Sequence, residues 1–197
     1  MSKIFCIGLN KTGTSSLHRA LLMLGFHSLH YGGPAVDEVI RRAIAEGRPM
    51  LHYLSKRFDA YSDVNILIRK FDLADQQYPR SKFIFTWRDI DSWLDSRTRH
   101  YLLMNKQRGP NGKKHIIDHE KWKEEWFMHR QKVYDYFQIR RKDILIMNIC
   151  AGQGYELLCP FLDKPLPAGP FPRENQWPAH LKSDPGRSTE NRQAGIA

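Results

Sequence analysis

The segment 3–24 narrows the choice of fold more than any other part of the sequence. Residues 3–8 form a short apolar run, and a turn-prone segment from Gly8 to Gly13 follows it. Apolar residues then recur at helical spacing, at Leu17, Ala20, Leu21 and Leu24. The sequence therefore predicts a strand, a loop and a helix in direct succession.

The same order recurs later in the chain. Residues 82–87 are rich in strand-forming side chains, and a helical pattern follows from 91 to about 104. Residues 143–149 (DILIMNI) form another buried strand candidate. Strands that alternate with helices predict an α/β fold: a parallel sheet flanked by helices on both faces. Because such sheets bind ligands at the carboxyl ends of their strands, we expect the functional residues in the loops after Ile7 and Trp87.

The remaining segments complete this outline. The patterns predict a short strand over 27–30 and a polar, mobile loop over Asn105–Lys114. They also predict helices over 34–47, over 73–77 before Pro79, over 122–137 and over 155–162. A length of 197 residues suits one domain, which we assign to 1–177, and the polar segment 178–197 predicts a disordered tail.

Cysteine content and hydropathy indicate the cellular compartment in which the protein is expected. The three cysteines are too few for a disulfide framework, which favours a reducing compartment. The sequence has neither a signal-peptide core nor a run of about 18 apolar residues. We therefore expect a cytoplasmic protein that does not associate with membranes.

The charge balance indicates anionic ligands. Lys and Arg number 31 against 21 Asp and Glu, a formal charge of +10. Such an excess attracts nucleotides, nucleic acids and anionic lipids alike. Charge alone does not choose among them.

The loop 8–16 (GLNKTGTSS) has the position of a phosphate cradle, where backbone N–H groups and a helix dipole favour an anion. A nucleoside-triphosphate P-loop places its lysine directly after the second glycine. Here Thr14 follows Gly13, and the lysine stands at Lys11, so its ammonium would approach a phosphate from the loop. The alternative is an ordinary glycine-containing turn in which Thr14 or Ser15 caps the helix.

The segment Lys-Thr-Gly-Thr-Ser-Ser resembles the 5′-phosphosulfate loop of the sulfotransferase family. That family binds 3′-phosphoadenosine 5′-phosphosulfate (PAPS) as donor and releases 3′,5′-adenosine bisphosphate (PAP). The resemblance implies that Lys11 stabilises charge on the leaving group. It also implies that the backbone amides of residues 12–15 and the hydroxyls of 14–16 hold the 5′-phosphate. The implied donor-binding residues of this loop are Lys11, Thr12, Gly13, Thr14, Ser15 and Ser16.

A second motif resembles the 3′-phosphate site of the same family, an arginine at a strand end with a serine eight residues later. The segment 83–96 (FIFTWRDIDSWLDS) provides Arg88 and Ser96 at that spacing. An arginine suits a phosphate because its fork donates two parallel hydrogen bonds. The alternative is that Arg88 pairs with Asp91 or Asp95 at the start of a helix.

Three later segments resemble a branch of short bacterial-type sulfotransferase-like proteins: Ile149–Gly154, Leu158–Leu162 and Pro170–Pro172. The resemblance thus spans residues 3–177. One feature departs from it, because the Arg-Lys-Gly segment that closes over the 3′-phosphate in cytosolic sulfotransferases is missing near the C-terminus. Residues 152–154 or the basic loop around Arg108 are the candidates for that task.

Transfer to a hydroxyl or an amine also requires a base that accepts the acceptor's proton. Asp63 lies where proteins of this branch carry an acidic residue, which makes it the first choice, and His30 and His52 are the alternatives. Each also has a structural explanation, Asp63 as a turn or N-cap residue and each histidine as a surface or core side chain. Aromatic candidates for an acceptor pocket are Tyr31, Tyr53, Trp87 and Trp93.

These patterns together predict a PAPS-dependent sulfotransferase with a small-molecule or glycan acceptor. We expect no metal site and no nucleic-acid partner. Two other functions stay open at this stage. One is a P-loop kinase or NTPase that uses Mg²⁺, although neither 82–87 nor 143–149 ends in a clear acidic metal ligand. The other is a basic nucleic-acid-binding module without catalysis.

Overall fold

The computed structural model describes residues 2–174. The predicted tail over 178–197 therefore lies outside the described residues. Among the residues that are described, no helix combines the length and the apolar character needed to cross a membrane.

The core of the fold is a five-stranded parallel sheet with the strand order β2-β3-β1-β4-β5. Its register pairs Ile4 of β1 with Ala60 of β3 on one side and with Lys82 of β4 on the other. This architecture confirms the predicted α/β class. The strands are β1 (Ile4–Cys6), β2 (Ser28–His30), β3 (Ala60–Ser62), β4 (Lys82–Thr86) and β5 (Ile144–Met147).

Helices cover both faces of the sheet. They are α1 (Thr14–Met23), α2 (Gly33–Ala45), α3 (Asn65–Arg69), α4 (Phe71–Gln77), α5 (Ile90–Gln107), α6 (His119–Phe137) and α7 (Tyr155–Phe161). Side chains alternate along β1, so Phe5 and Ile7 pack against α2, α4 and α6, whereas Ile4 and Cys6 pack against α1 and α7. The hydrophobic core consequently has two layers, one on each face.

Two parts of the chain differ from the sequence prediction. The strand β3 and the short helix α3, of three and five residues, were not predicted. Helix α5 continues to Gln107, so the first three residues of the predicted loop 105–114 are helical.

A tryptophan cluster joins α5 to α6. Trp93 and Trp122 are buried, and the guanidinium of Arg97 lies 4.9 Å and 4.6 Å from their ring centroids. Arg97 also donates a 2.6 Å hydrogen bond to Glu125. These contacts hold the two long helices together beyond the carboxyl edge of the sheet.

Gly8, two residues after the end of β1, lies in contact with β4. A Cβ atom at this position would overlap the side-chain and carbonyl oxygens of Thr86 and would lie 2.9 Å from its backbone nitrogen. Backbone cannot move aside as a flexible side chain does, so the overlap would force β1 and β4 apart.

We therefore expect Gly8→Ala to lower the free energy of unfolding by about 3 kcal/mol. Urea unfolding followed by circular dichroism measures this change. Gly169→Ala is the matched control, because no atom lies within 4 Å of its Cβ position, and we expect a change below about 0.5 kcal/mol. Equal stability of the two variants would contradict the contact.

Candidate active site

The strand order arranges four of the candidate residues, together with Cys150, in a row along the carboxyl edge of the sheet. His30 ends β2, Asp63 follows β3, the loop with Lys11 follows β1, Arg88 follows β4 and Cys150 follows β5. All strands are parallel, so these five residues share one edge. Read across the sheet, the row runs His30, Asp63, Lys11, Arg88, Cys150.

All five residues line one cleft with a volume of about 2170 Å³. Pockets for single small ligands commonly measure about 300–1,000 Å³. This cleft is therefore large enough for two ligands side by side.

Hydrogen bonds fix the loop between β1 and α1. The hydroxyl of Thr12 donates to the carbonyl oxygen of Leu9 over 2.6 Å and lies 2.7 Å from the hydroxyl of Thr86. The indole nitrogen of Trp93 donates to the carbonyl oxygen of Asn10 over 2.8 Å. The side chain of Thr12 thus ties the loop to β4 and does not line the cleft.

The loop turns through two residues with left-handed backbone angles, Lys11 at φ 66° and Gly13 at φ 94°. A Cβ atom at Gly13 would lie only 2.9 Å from Cβ of Ile149, which explains why a glycine stands there. A left-handed lysine is uncommon and costs free energy that the surrounding contacts must offset. Both residues line the cleft.

Helix α1 begins at Thr14 without a side-chain cap. The first amides of a helix have no intrahelical acceptor, and the helix dipole adds partial positive charge there. Thr14, Ser15 and Ser16 all line the cleft. The hydroxyl of Ser15 lies 3.2 Å from Nε2 of His30, and that of Ser16 accepts a 2.9 Å hydrogen bond from the backbone N–H of Glu174. The alternative in which Thr14 or Ser15 caps α1 is not found within the described residues 2–174, and the start of α1 suits an anion.

Arg88 lies next to the loop. Its Nη1 donates to the carbonyl oxygen of Lys11 over 3.4 Å, and its Nε donates to the hydroxyl of Ser92 over 2.8 Å. Ser96 is buried one turn further along α5 and lines the same cleft. The lysine and the arginine that the sequence singled out therefore lie side by side.

The acidic residues around Arg88 have other partners. Asp89 caps α5 by accepting hydrogen bonds from the backbone N–H groups of Asp91 and Ser92, and Asp95 pairs with Arg99. Arg88 forms no ion pair with a carboxylate within residues 2–174. The alternative in which Asp91 or Asp95 neutralises Arg88 does not apply, and the guanidinium is available to an anionic ligand.

Asp63 has a left-handed backbone (φ 55°) between β3 and α3, which agrees with a turn position. Its carboxylate does not cap α3, whose N-terminus has no side-chain cap. Burial raises the pKa of Asp63, and the nearby ammonium of Lys11 opposes that rise. Burial likewise lowers the pKa of Lys11, and Arg88 lowers it further, whereas Asp63 raises it. The two groups thus favour each other's charged form across the cleft.

The structure places the two histidine candidates in different surroundings, His30 at the cleft and His52 outside it. His30 lies at the cleft, where Nδ1 is 2.9 Å from the hydroxyl of Ser62, in addition to the contact of Nε2 with Ser15. Burial lowers the pKa of His30 and favours its neutral form. His52 lies on the surface beside Arg48 and outside the cleft, so it does not belong to this site.

Of the four aromatic candidates, only Tyr31 lines the cleft. Trp93 is fully buried in the core, and Tyr53 is hydrogen-bonded to Glu46 on the surface. Arg108 likewise lies outside the cleft and donates to the carbonyl oxygen of Lys113 over 2.6 Å. Core packing accounts for Trp93, and surface contacts account for Tyr53 and Arg108.

Sequence reasoning missed His100, Cys150 and Arg173, which all line the cleft. His100 follows Ser92 and Ser96 at steps of four, so helical spacing was a signal that could have identified it. Burial lowers the pKa of His100, and Lys11 lowers it further. Cys150 and Arg173 follow the last strand at distances that no local pattern relates to the phosphate loop.

Within residues 2–174, the cleft therefore contains a helix start without a side-chain cap, a loop lysine and an arginine without a carboxylate partner, a set of groups that suits an anionic ligand. The fold and this site define an α/β protein with a phosphate-binding loop. The family model described as "Sulfotransferase domain" matches residues 3–137 and, in a second match, residues 104–180. The chain belongs to the sulfotransferase domain family, as the sequence resemblance indicated. A comparison with curated proteins gives no match.

Proposed function

We propose that the protein transfers a sulfonate group from PAPS to a hydroxyl or amine and releases PAP. The observation that carries the proposal is the juxtaposition of Lys11 and Arg88 in one cleft, joined by the 3.4 Å contact of the guanidinium with the lysine carbonyl oxygen. A donor with a phosphosulfate at one end and a ribose phosphate at the other requires two such cationic groups.

The row of residues along the sheet edge supports one orientation of the donor. With its 5′-phosphate at the start of α1 and its 3′-phosphate between Arg88 and Ser96, the nucleotide extends from β1 toward β4. The sulfonate then points the opposite way, toward β3, where Asp63 lies. The acceptor accordingly occupies the part of the cleft near Asp63 and Tyr31.

The proposed reaction is a single displacement at sulfur. The acceptor oxygen or nitrogen forms a bond to sulfur while the bond between sulfur and the bridging oxygen breaks. The electron pair of that bond passes to the 5′-phosphate of PAP, where the ammonium of Lys11 stabilises the charge. The acceptor's proton passes to the carboxylate of Asp63.

This proposal includes a small-molecule or glycan acceptor, a cytoplasmic location and no role for a metal ion, a membrane or a nucleic acid. Asp63 is the proposed base because its carboxylate lies in the cleft within the electrostatic range of Lys11. His30 is the alternative base. Its two ring nitrogens already contact serine hydroxyls, which favours a role in holding the loop.

Arg88→Ala tests the donor site. We expect PAP to bind about 10- to 100-fold more weakly to this variant, because one or two charge-assisted hydrogen bonds to a phosphate are lost. Isothermal titration calorimetry with PAP measures the change. The affinity for 5′-AMP, which lacks the 3′-phosphate, should change less than about threefold.

Titrations of this kind also distinguish the proposed function from the two alternatives, a P-loop kinase or NTPase and a nucleic-acid-binding module. Tight binding of ATP with Mg²⁺ and none of PAP would identify a P-loop kinase or NTPase. Salt-dependent binding of nucleic acid that survives both Arg88→Ala and Lys11→Ala would identify a nucleic-acid-binding module. Either result would overturn the proposal.

A further inference from the structure

His129 lines the cleft from α6, on the wall opposite the start of α1. Helix α6 packs on one face of the sheet and α1 packs on the other. Glu125, one turn before His129, accepts a 3.0 Å hydrogen bond from Arg69 at the end of α3. Because α3 begins two residues after Asp63, His129 belongs to the half of the cleft that the proposed acceptor occupies.

A hydrogen bond to the backbone fixes the tautomer of His129. Its Nε2 lies 2.7 Å from the carbonyl oxygen of Ile7. A carbonyl oxygen can only accept a hydrogen bond, so Nε2 carries the proton and Nδ1 of the neutral ring carries a lone pair. The rings of Phe71 and Phe85 pack beside the imidazole, with centroids 6.3 Å and 5.8 Å from its own, and hold its orientation.

The Nδ1 atom of His129 has no hydrogen-bond partner within residues 2–174. It is not one of the buried side-chain atoms that lack a partner in that part of the chain, so it keeps accessible surface in the cleft. A ring nitrogen with an unused lone pair on the wall of a cleft is suited to a hydrogen-bond donor on a ligand.

The charged side chains around His129 already have partners. Arg69 pairs with Glu125, and the ammonium of Lys132 lies 3.3 Å from the carboxylate of Asp72. Burial lowers the pKa of His129. The hydrogen bond to the carbonyl oxygen and the charge of Glu125 oppose this shift, whereas Arg69 and Lys132 add to it. The surroundings therefore favour the neutral ring, in which Nδ1 accepts a hydrogen bond.

We propose that Nδ1 of His129 binds the acceptor substrate by accepting a hydrogen bond from a second O–H or N–H group, one that is not sulfated. This inference rests on the proposed function, in which the proton of the reacting group passes to Asp63. A reacting hydroxyl has one hydrogen, so the hydrogen bond to His129 requires a further donor on the same molecule. The acceptor class is therefore a diol, a sugar or an amino alcohol, in preference to a phenol or alcohol with a single O–H group.

His129→Gln removes the acceptor atom while it keeps the structural contact. The amide nitrogen of glutamine reaches the position of Nε2, so this variant can still donate to Ile7, but it has no acceptor at the position of Nδ1. We expect its KM for catechol and for 1,2-propanediol to rise about tenfold, with kcat and PAP affinity changed less than about threefold. His119→Gln is the matched control, because His119 is exposed on the same helix and outside the cleft.

His129→Asn makes the opposite change. Its side-chain oxygen lies near the position of Nδ1, but the shorter side chain does not reach Ile7. We expect a lower urea midpoint than in His129→Gln, together with a smaller rise in the KM for catechol. A KM that follows the urea midpoint across the two variants would show a purely structural role and would overturn the inference.

Matched acceptors test the second donor directly. The wild-type protein should have a KM for catechol about tenfold below that for phenol, with the same order for 1,2-propanediol and 1-propanol, and His129→Gln should lose this preference. Equal use of both members of each pair by the wild-type protein, or a preference that survives in His129→Gln, overturns the inference while the proposed function stands. Failure of the wild-type protein to transfer sulfonate to any phenol, sugar, alcohol or amine in a screen overturns both.

Discussion

Lys11→Ala is expected to lower kcat for sulfonate transfer by about 10²- to 10³-fold, the usual effect of removing one preorganised donor from a developing negative charge. The ammonium lies in the cleft at the start of α1, where the bridging oxygen of the donor would acquire charge. Charge develops there mainly in the transition state, so the affinity for PAP should fall less than about tenfold. The measurement combines calorimetry with transfer from a labelled donor to an acceptor found by screening phenols, sugars, alcohols and amines.

Arg88→Ala provides the matched comparison for Lys11→Ala. The guanidinium of Arg88 contacts the backbone of Lys11, and its charge lowers the pKa of Lys11, so a general electrostatic effect would reduce PAP affinity equally in both variants. The assigned roles require different patterns, with the main loss in kcat for Lys11→Ala and in binding for Arg88→Ala. Equal losses in binding would contradict these roles.

Asp63→Asn is expected to lower kcat by about 10²- to 10⁴-fold without a loss of PAP affinity, because the amide cannot accept the acceptor's proton. Asparagine keeps the shape of the side chain and tolerates the left-handed backbone at this position. Transfer kinetics together with a PAP titration separate the loss of the base from a loss of structure. His52→Gln is the control outside the cleft.

The pH dependence of transfer tests the same assignment. Only the deprotonated carboxylate can act as a base, so activity should rise with pH through the pKa of Asp63. Burial raises that pKa, which places the rise at a higher pH than an ordinary carboxyl group would. Lys11 opposes the effect, so removal of the ammonium in Lys11→Ala should move the rise to still higher pH. Asp63→Asn should abolish it.

The pH dependence of transfer in His30→Gln shows whether Asp63 or His30 is the base. If Asp63→Asn retains activity and His30→Gln loses the rise with pH, the base is His30. Burial lowers the pKa of His30, so a rise caused by this residue would lie below the ordinary histidine value. We expect His30→Gln to keep most of the activity.

The residues proposed to bind the donor could be selected from the sequence because they lie in two short continuous stretches. The offset of Lys11 from Gly13 and the spacing of Arg88 and Ser96 are properties of local sequence, and the structure brings both motifs to one cleft. The contact made by the side chain of Thr12 was not predictable from the loop sequence. Its hydroxyl bonds to Thr86, which is 74 residues away, and no pattern around the loop indicates that contact.

Most of the fold was predictable from local sequence patterns, including β1 and β2, which have only three residues each. Helices α1, α2 and α6 have apolar stripes, and β4 and β5 are apolar runs between polar turns. The three residues of β3 have no such signal, yet β3 lies next to β1 and carries Asp63 to the cleft. Asp63 was therefore proposed from a family resemblance and not from the fold.

The sequence by itself determined the strand, loop and helix at the N-terminus, the alternation of later elements and the two cationic motifs, because each depends on neighbours along the chain. Only the tertiary structure decided the strand order, which places Asp63 on one side of the phosphate loop and Arg88, Cys150 and Arg173 on the other. The physical reason is that pairing between strands joins residues far apart in the sequence. Its free energy comes from burial of both faces of the whole sheet, which no single segment contains.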